Sequence, residues 1–204
     1  MAGITLVAAT RLEFKALRRQ VPSARIELVG IALEKSALDL GEIVVSCGLA
    51  GALRADLPTG TVLIPRRVRR PGGGTLHCDE ELVEAFATAA RRIGHEPVFD
   101  PLLTSEEIVH GGARARWAGQ GYAAVDMETG RIEAPRVAAV RVVLDTPQRE
   151  ISAEWRRPLR ALLNPMNWPQ ALWLSREAPR AAALSASVVA AAQGIVRGMR
   201  ITRP

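Results

Sequence analysis

The chain has 204 residues, 48% of them hydrophobic, and a formal net charge of +6 at neutral pH, which suits one well-buried domain and is short for two. The basic surplus is almost wholly arginine in an alanine-rich background, Lys15 and Lys35 being the only lysines. Its densest run, Arg66, Arg67, Arg69 and Arg70, has no interleaved aromatic residues to stack on bases, so nucleic acid is set aside as a partner.

In chain order, strands are expected near 3–9, 26–31, 42–47, 60–68, 97–104, 121–127 and 136–144, with helical patterns in the gaps. Such alternation marks an α/β chain. The first strand is followed by Arg11, Leu12, Glu13 and Phe14, where Glu13 suits the positive end of a helix. The third strand runs into Gly48, Leu49, Ala50 and Gly51, read as a glycine turn whose backbone N–H groups would face an anion or a sugar hydroxyl. Residues 70–74 form a glycine-rich loop. The clearest helix spans 79–93, with Asp79 as N-cap, an apolar face of Leu82, Val83, Phe86, Ala90 and Ile93, and Gly94 at its end.

Two apolar runs then stop at acids: Ala124, Val125, Asp126, Met127, Glu128 and, after a spacer cut by Pro135, Arg141, Val142, Val143, Leu144, Asp145. Ligands bind at the carboxyl ends of strands in parallel α/β sheets, so two carboxylates at one sheet edge point to a site. The plainer alternative is that Glu128 starts a helix and Asp145 caps a turn before Thr146 and Pro147.

Residues 148–180 hold Trp155, Trp168 and Trp173 among Arg156, Arg157, Arg160, Arg176 and Arg180, with Pro158, Pro165 and Pro169 expected to break the segment into short helices. Two readings stand: a helical layer whose indoles pack on the sheet, or an amphipathic element making peripheral membrane contact through 155–180. Residues 181–196 read as a buried helix, short of a membrane span. Cys47 and Cys78 read as reduced thiols, no secretory leader is seen, and a cytoplasmic setting is expected. His77, His95 and His110 lack ligand spacing, so no metal is expected.

The strand ending in Val125, Asp126, Met127, Glu128, the later Arg141 to Asp145 pattern, Glu13 after the first strand, Gly48 to Gly51, and Leu57 through Pro65 fall in an order that resembles the nucleoside phosphorylase and methylthioadenosine/S-adenosylhomocysteine nucleosidase superfamily over residues 3–147. Within it the chain looks closest to the hopanoid-associated phosphorylase branch.

The resemblance implies a single-domain three-layer α/β/α fold with a mixed, mostly parallel twisted sheet. It also implies cleavage of the N-ribosyl bond of a purine nucleoside, such as an adenosyl group on a hydrophobic tail, by water or phosphate, with no cofactor and a homo-oligomeric enzyme. Glu128 would accept hydrogen bonds from the ribose and oppose the charge growing on the sugar, with Met127 against the sugar face. Asp145 would protonate the departing base, Glu13 would activate water, and Ile108, Val125 and Asp126 would line the base pocket. The chain departs from the pattern in having Leu49 where phosphorylases hold phosphate with serine, Ser46 lying nearby, and in having Ile108 where nucleosidases stack an aromatic ring on adenine. A non-catalytic nucleoside-binding or partner-docking module on the same fold is the rival reading.

Overall fold

A computed structural model describes residues 3–33, 39–152 and 164–198. Trp155, Arg156, Arg157, Pro158 and Arg160 lie outside the described residues, so the readings that rest on them go no further.

Nine strands form one mixed sheet among the described residues. In chain order they are β1 (Ile4–Ala8), β2 (Arg25–Leu28), β3 (Ile43–Ala52), β4 (Val62–Leu63), β5 (Arg67–Arg69), β6 (Thr75–His77), β7 (Leu102–Thr104), β8 (Ala124–Asp126) and β9 (Arg136–Asp145). The helices are α1 (Arg11–Gln20), α2 (Glu80–Arg92), α3 (Gly112–Gly119) and α4 (Trp168–Gly198).

β3 is the hub. Its first residues pair in parallel with β1 on one side, and Ile43 to Gly51 pair in parallel with β9 on the other, with a register shift between Ala50 and Gly51. Gly51 and Ala52 then pair antiparallel with Val125 and Ala124 of β8. The ends of β3, β8 and β9 therefore meet, with Gly51 opposite both Asp145 and Val125. The carboxyl ends of the two acid-tipped strands thus share one edge of the sheet.

The sheet is covered on both faces. Alternate residues of a strand point to opposite faces, and here Leu102 and Ala124 join the main core while Leu103 and Val125 join a second cluster with Leu53 and Val109. Trp117 and Tyr122, in and just after α3, pack edge-to-face on that second cluster. On the main face α4 lies against α1, α2, β3 and β9 through a stripe of small residues, Ala181, Ala182, Ser185, Ala186, Val189 and Ala192. Ser185 Oγ donates to the Val140 carbonyl at 3.1 Å, which satisfies the one hydroxyl in that buried stripe.

Several expectations need correcting. The strand expected over 60–68 breaks into β4 and β5 around Pro65, and that over 97–104 shortens to β7, because prolines at 65, 97 and 101 cannot donate to a ladder. The 70–74 loop is the turn of a hairpin, β6 being a strand the sequence did not suggest. Asp79 does cap α2, its carboxylate accepting the Leu82 N–H at 3.0 Å.

The segment after 164 is not a set of short helices. Pro169 sits in the first turn of α4, where its missing N–H leaves no carbonyl unpaired, and Pro179 lies inside the helix without ending it. Burial of the small-residue stripe outweighs the one lost rung. With its preceding turn the helix is long and apolar enough to cross a membrane, its most apolar stretch having a mean hydropathy of 1.3, and 44% of that stretch is buried in the fold. Trp173 is buried with the Arg149 guanidinium 4.3 Å from its ring centroid, whereas Trp168 is 60% exposed.

Candidate active site

A cleft of about 260 Å³ opens where β1, β3, β8 and β9 end. Glu13, Glu128 and Asp145 all line it, with Leu49, Ala50, Gly51, Ile108, Val125, Asp126 and Met127. Every residue expected at the site borders the cleft except Gly48, which lies just behind it.

Glu13 is placed by the start of α1. Thr10 caps that helix and Glu13 closes the capping box: the Thr10 N–H and hydroxyl both donate to Glu13 Oε2 at 2.7 Å, and the Glu13 N–H donates back to the Thr10 hydroxyl at 3.3 Å. The other oxygen, Oε1, accepts the Leu49 N–H at 2.9 Å. The residue is thus both a helix-terminal acid and a cleft residue. Gly48 makes this approach possible, since a Cβ there would lie 2.1 Å from Glu13 Oε1 and 2.9 Å from Arg141 Nη1.

The expected glycine turn is not a turn. Residues 48–51 continue β3, and their backbone groups are taken up by the ladder with β9, by Glu13 and, at the Leu49 carbonyl, by Arg141 at 3.3 Å. No row of N–H groups is left to cradle an anion there. Ser46 also turns away from the cleft, accepting from Arg141 Nη2 at 2.6 Å.

Glu128 follows β8, its Oε1 accepting the Ala32 N–H at 3.1 Å and its Oε2 lying 3.5 Å from Arg141 Nη2. Burial pushes its carboxyl up to about 7; Arg141 opposes the rise, and the charges of Asp126 and Glu13 add to it. Asp126 borders the cleft, but its carboxylate is engaged elsewhere: its oxygens accept from Thr104 Oγ1 at 2.6 Å and from the Thr129 N–H and hydroxyl, and Oδ2 forms an ion pair with Arg141 Nη2 at 2.7 Å. Its role is to hold Arg141, the buried cation beneath Glu13 and Glu128.

Asp145 ends β9. Its Oδ2 pairs with Arg114 Nη2 and lies 3.4 Å from the Ile151 N–H. Burial pushes its carboxyl up from the usual range, and the Arg114 charge pulls it back. Arg114 comes from α3 and is itself 2% exposed. Sequence reading missed it, because one arginine among 27 basic residues carries no signal. Arg141 did carry one: a charged residue inside an apolar run must be paired when the strand is buried. Among the described residues no three acidic, histidine or cysteine side chains cluster as a metal site would.

No protein-family model matches the chain, and no curated protein matches it by sequence. Solved structures do. The methylthioadenosine/S-adenosylhomocysteine nucleosidase of Neisseria meningitidis, bound to methylthio-immucillin-A, aligns with a TM-score of 0.70 at 19% identity, over 93% of this chain and 97% of that one. The corresponding nucleosidase of Colwellia psychrerythraea with adenine gives 0.70 at 17%, over 94% of each chain. Futalosine hydrolase of Helicobacter pylori gives 0.71 at 12%, over 94% and 97%. The fold is therefore that of these nucleosidases, over nearly the full length of both chains.

Proposed function

We propose that this protein cleaves the N-ribosyl bond of a purine nucleoside with water as acceptor. The observation that carries the reading is the convergence of Glu13, Glu128 and Asp145 on one cleft, in a fold shared with proteins named as nucleosidases and a hydrolase. Glu13, fixed by three donors, takes the proton of an attacking water. Glu128, once ionised, accepts from the ribose hydroxyls and opposes the positive charge that grows at C1′. Met127 offers the sugar an adaptable apolar surface. Asp145 and Arg114 stand together where the departing base would leave.

Water is favoured over phosphate on geometric grounds. A phosphate dianion at the Leu49 strand would lie beside the Glu13 carboxylate, and the Leu49 N–H already serves that carboxylate. The guanidinium beneath is committed to Asp126, Ser46, Thr129 and the Leu49 carbonyl. An uncompensated anion there is costly. The apolar wall of Ile31, Val109 and Ile151 suits a hydrophobic 5′ substituent. The partly exposed Trp168 and Leu172 sit on a helix start tied to residues 150–152 through Gln170, a place from which a lipid-linked substrate could be met.

Incubation with adenosine and 5′-alkylthioadenosines in phosphate-free buffer is the test. Free ribose or its 5′-substituted analogue should form, and Glu13→Gln should abolish it. Ribose 1-phosphate as the sole sugar product, appearing only when phosphate is added and insensitive to Glu13→Gln, would overturn the reading.

A further inference from the structure

Among the described residues Ala32 and Leu33 are the only non-glycine residues with positive φ, at 56° and 53°, and they follow Gly30 at 80°. L side chains resist this left-handed backbone, and two such residues in succession persist only where their surroundings over-determine them. Both flanks are anchored here. Val29, just past β2, donates its N–H to the Ala8 carbonyl at 3.0 Å, and Leu33 is buried in the main core. Between these anchors the chain passes along the Glu128 side of the cleft, with Ile31 lining it, and the Ala32 N–H donates to Glu128 Oε1 at 3.1 Å.

That bond matters because Glu128 has little else to fix it. Its Oε2 accepts the Met127 N–H at 3.4 Å and lies 3.5 Å from Arg141 Nη2, a nitrogen that also serves Asp126. Among the described residues the Ala32 N–H is the only donor to Oε1. An ionised carboxylate has about four lone-pair sites, so one short bond can hold its plane and still leave acceptor capacity on both oxygens.

We propose that the left-handed pair Ala32 and Leu33 is a positioning element for the reaction: its bend aims the Ala32 N–H at Glu128 Oε1 and so sets the orientation in which that carboxylate meets the ribose hydroxyls. The proposal rests on the N-ribosyl reading above and adds the backbone segment on which the sugar-binding acid depends. The bond also acts on charge. A donor to the ionised form favours it, and Glu128, faced by Arg141 of β9, Asp126 of β8 and Glu13 of α1, is pushed up by burial to about 7. Without the Ala32 N–H its carboxyl rises further. A protonated Glu128 is in turn the weaker acceptor and leaves the strained bend with less to hold it. Ionisation of the acid and closure of the bend are thus coupled in one direction.

Two changes at position 32 separate the N–H from the backbone bend. Ala32→Gly keeps the N–H and adopts positive φ without strain. Lactic acid in place of Ala32 turns the amide into an ester, which keeps the methyl group and deletes the N–H. With the full-length protein and no substrate, the Glu128 carboxyl followed by carbon-13 NMR should titrate in Ala32→Gly as in the parent, and about one pH unit higher in the ester.

Activity on adenosine should follow. The ester should lose about tenfold in kcat/KM at pH 6, one pH unit being tenfold in the charged fraction, and lose less at pH 9, where Glu128 is ionised either way. A purely structural defect lowers the rate by one factor at every pH. Ala32→Val, whose branched side chain is strongly disfavoured at positive φ, should shift the titration in the same direction and stands in for the ester should that chain not fold.

A titration unmoved in the ester or in Ala32→Val, or moved as far by Ala32→Gly, overturns the proposal, as does a loss of activity that is the same at pH 6 and pH 9. If the parent cleaves no riboside, the N-ribosyl reading fails, and the carboxyl titration by itself decides whether Ala32 governs Glu128.

Discussion

Glu13 Oε1 accepts the Leu49 N–H at 2.9 Å, so the first helix and the central strand are joined by a carboxylate rather than by an apolar contact. The bond exists because residue 48 has no side chain: a Cβ there would overlap the Glu13 carboxylate.

Gly48→Ala should therefore displace the Glu13 carboxylate from behind, position 48 itself not lining the cleft. The expected result is a folded protein with turnover reduced about 100-fold, the cost of losing a positioned general base, while binding of a nucleoside analogue changes little. Turnover within a factor of two of the parent would show that Glu13 can work from another position.

Glu128 is raised in the folded state to about 7 from an ordinary 4.5. The folded protein therefore binds a proton that the unfolded chain has released between those values, and stability falls as pH rises through that window. Glu128→Gln removes the penalty. Thermal melts should show the variant gaining on the parent at pH 8, by an amount up to about 3 kcal/mol from the size of the shift, and gaining little near pH 4.5. A pH-independent difference would place the penalty elsewhere.

On the proposed function the same ionisation would govern activity. There Glu128 is charged when it holds the ribose hydroxyls, so kcat/KM for a riboside should rise between about pH 6 and 8, following the value given above. A 2′-deoxyriboside should be a poor substrate for the parent and lose less on Glu128→Gln. Equal losses for the two sugars would remove the ribose role.

Arg141 is buried at 1% exposure with Asp126, Glu128, Ser46 and Thr129 around it. Among the described residues its Nε has no hydrogen-bond partner. Arg141→Met should cost about 3–5 kcal/mol in urea unfolding, because the buried Asp126 carboxylate loses its counter-ion. The double variant with Asp126→Asn should recover a large part of that loss. An additive pair of losses would show that the two side chains act independently.

Much was legible in the chain itself. The β/α alternation, the capping of α2 by Asp79, the small-residue C-terminal helix and the acids at the ends of β8 and β9 all follow from local rules: period, capping chemistry and the position where an apolar run stops. The stretch from 48 to 51 was misread for a local reason too, since Gly-Leu-Ala-Gly fits a turn or a bulged strand equally well. Only the partner strand β9 decides between them, and β9 lies some ninety residues away.

The chain alone thus singled out Glu13, Glu128 and Asp145 as acids at element ends, and the structure brings the three to one cleft. Tertiary structure decided what surrounds each of them. Arg114 comes to Asp145 from α3 across 31 positions, and Arg141 takes Asp126 away from the cleft. Charge pairing over such separations depends on sheet order and on burial, which raises the energy of any unpaired charge, and neither is encoded in the spacing of residues along the sequence.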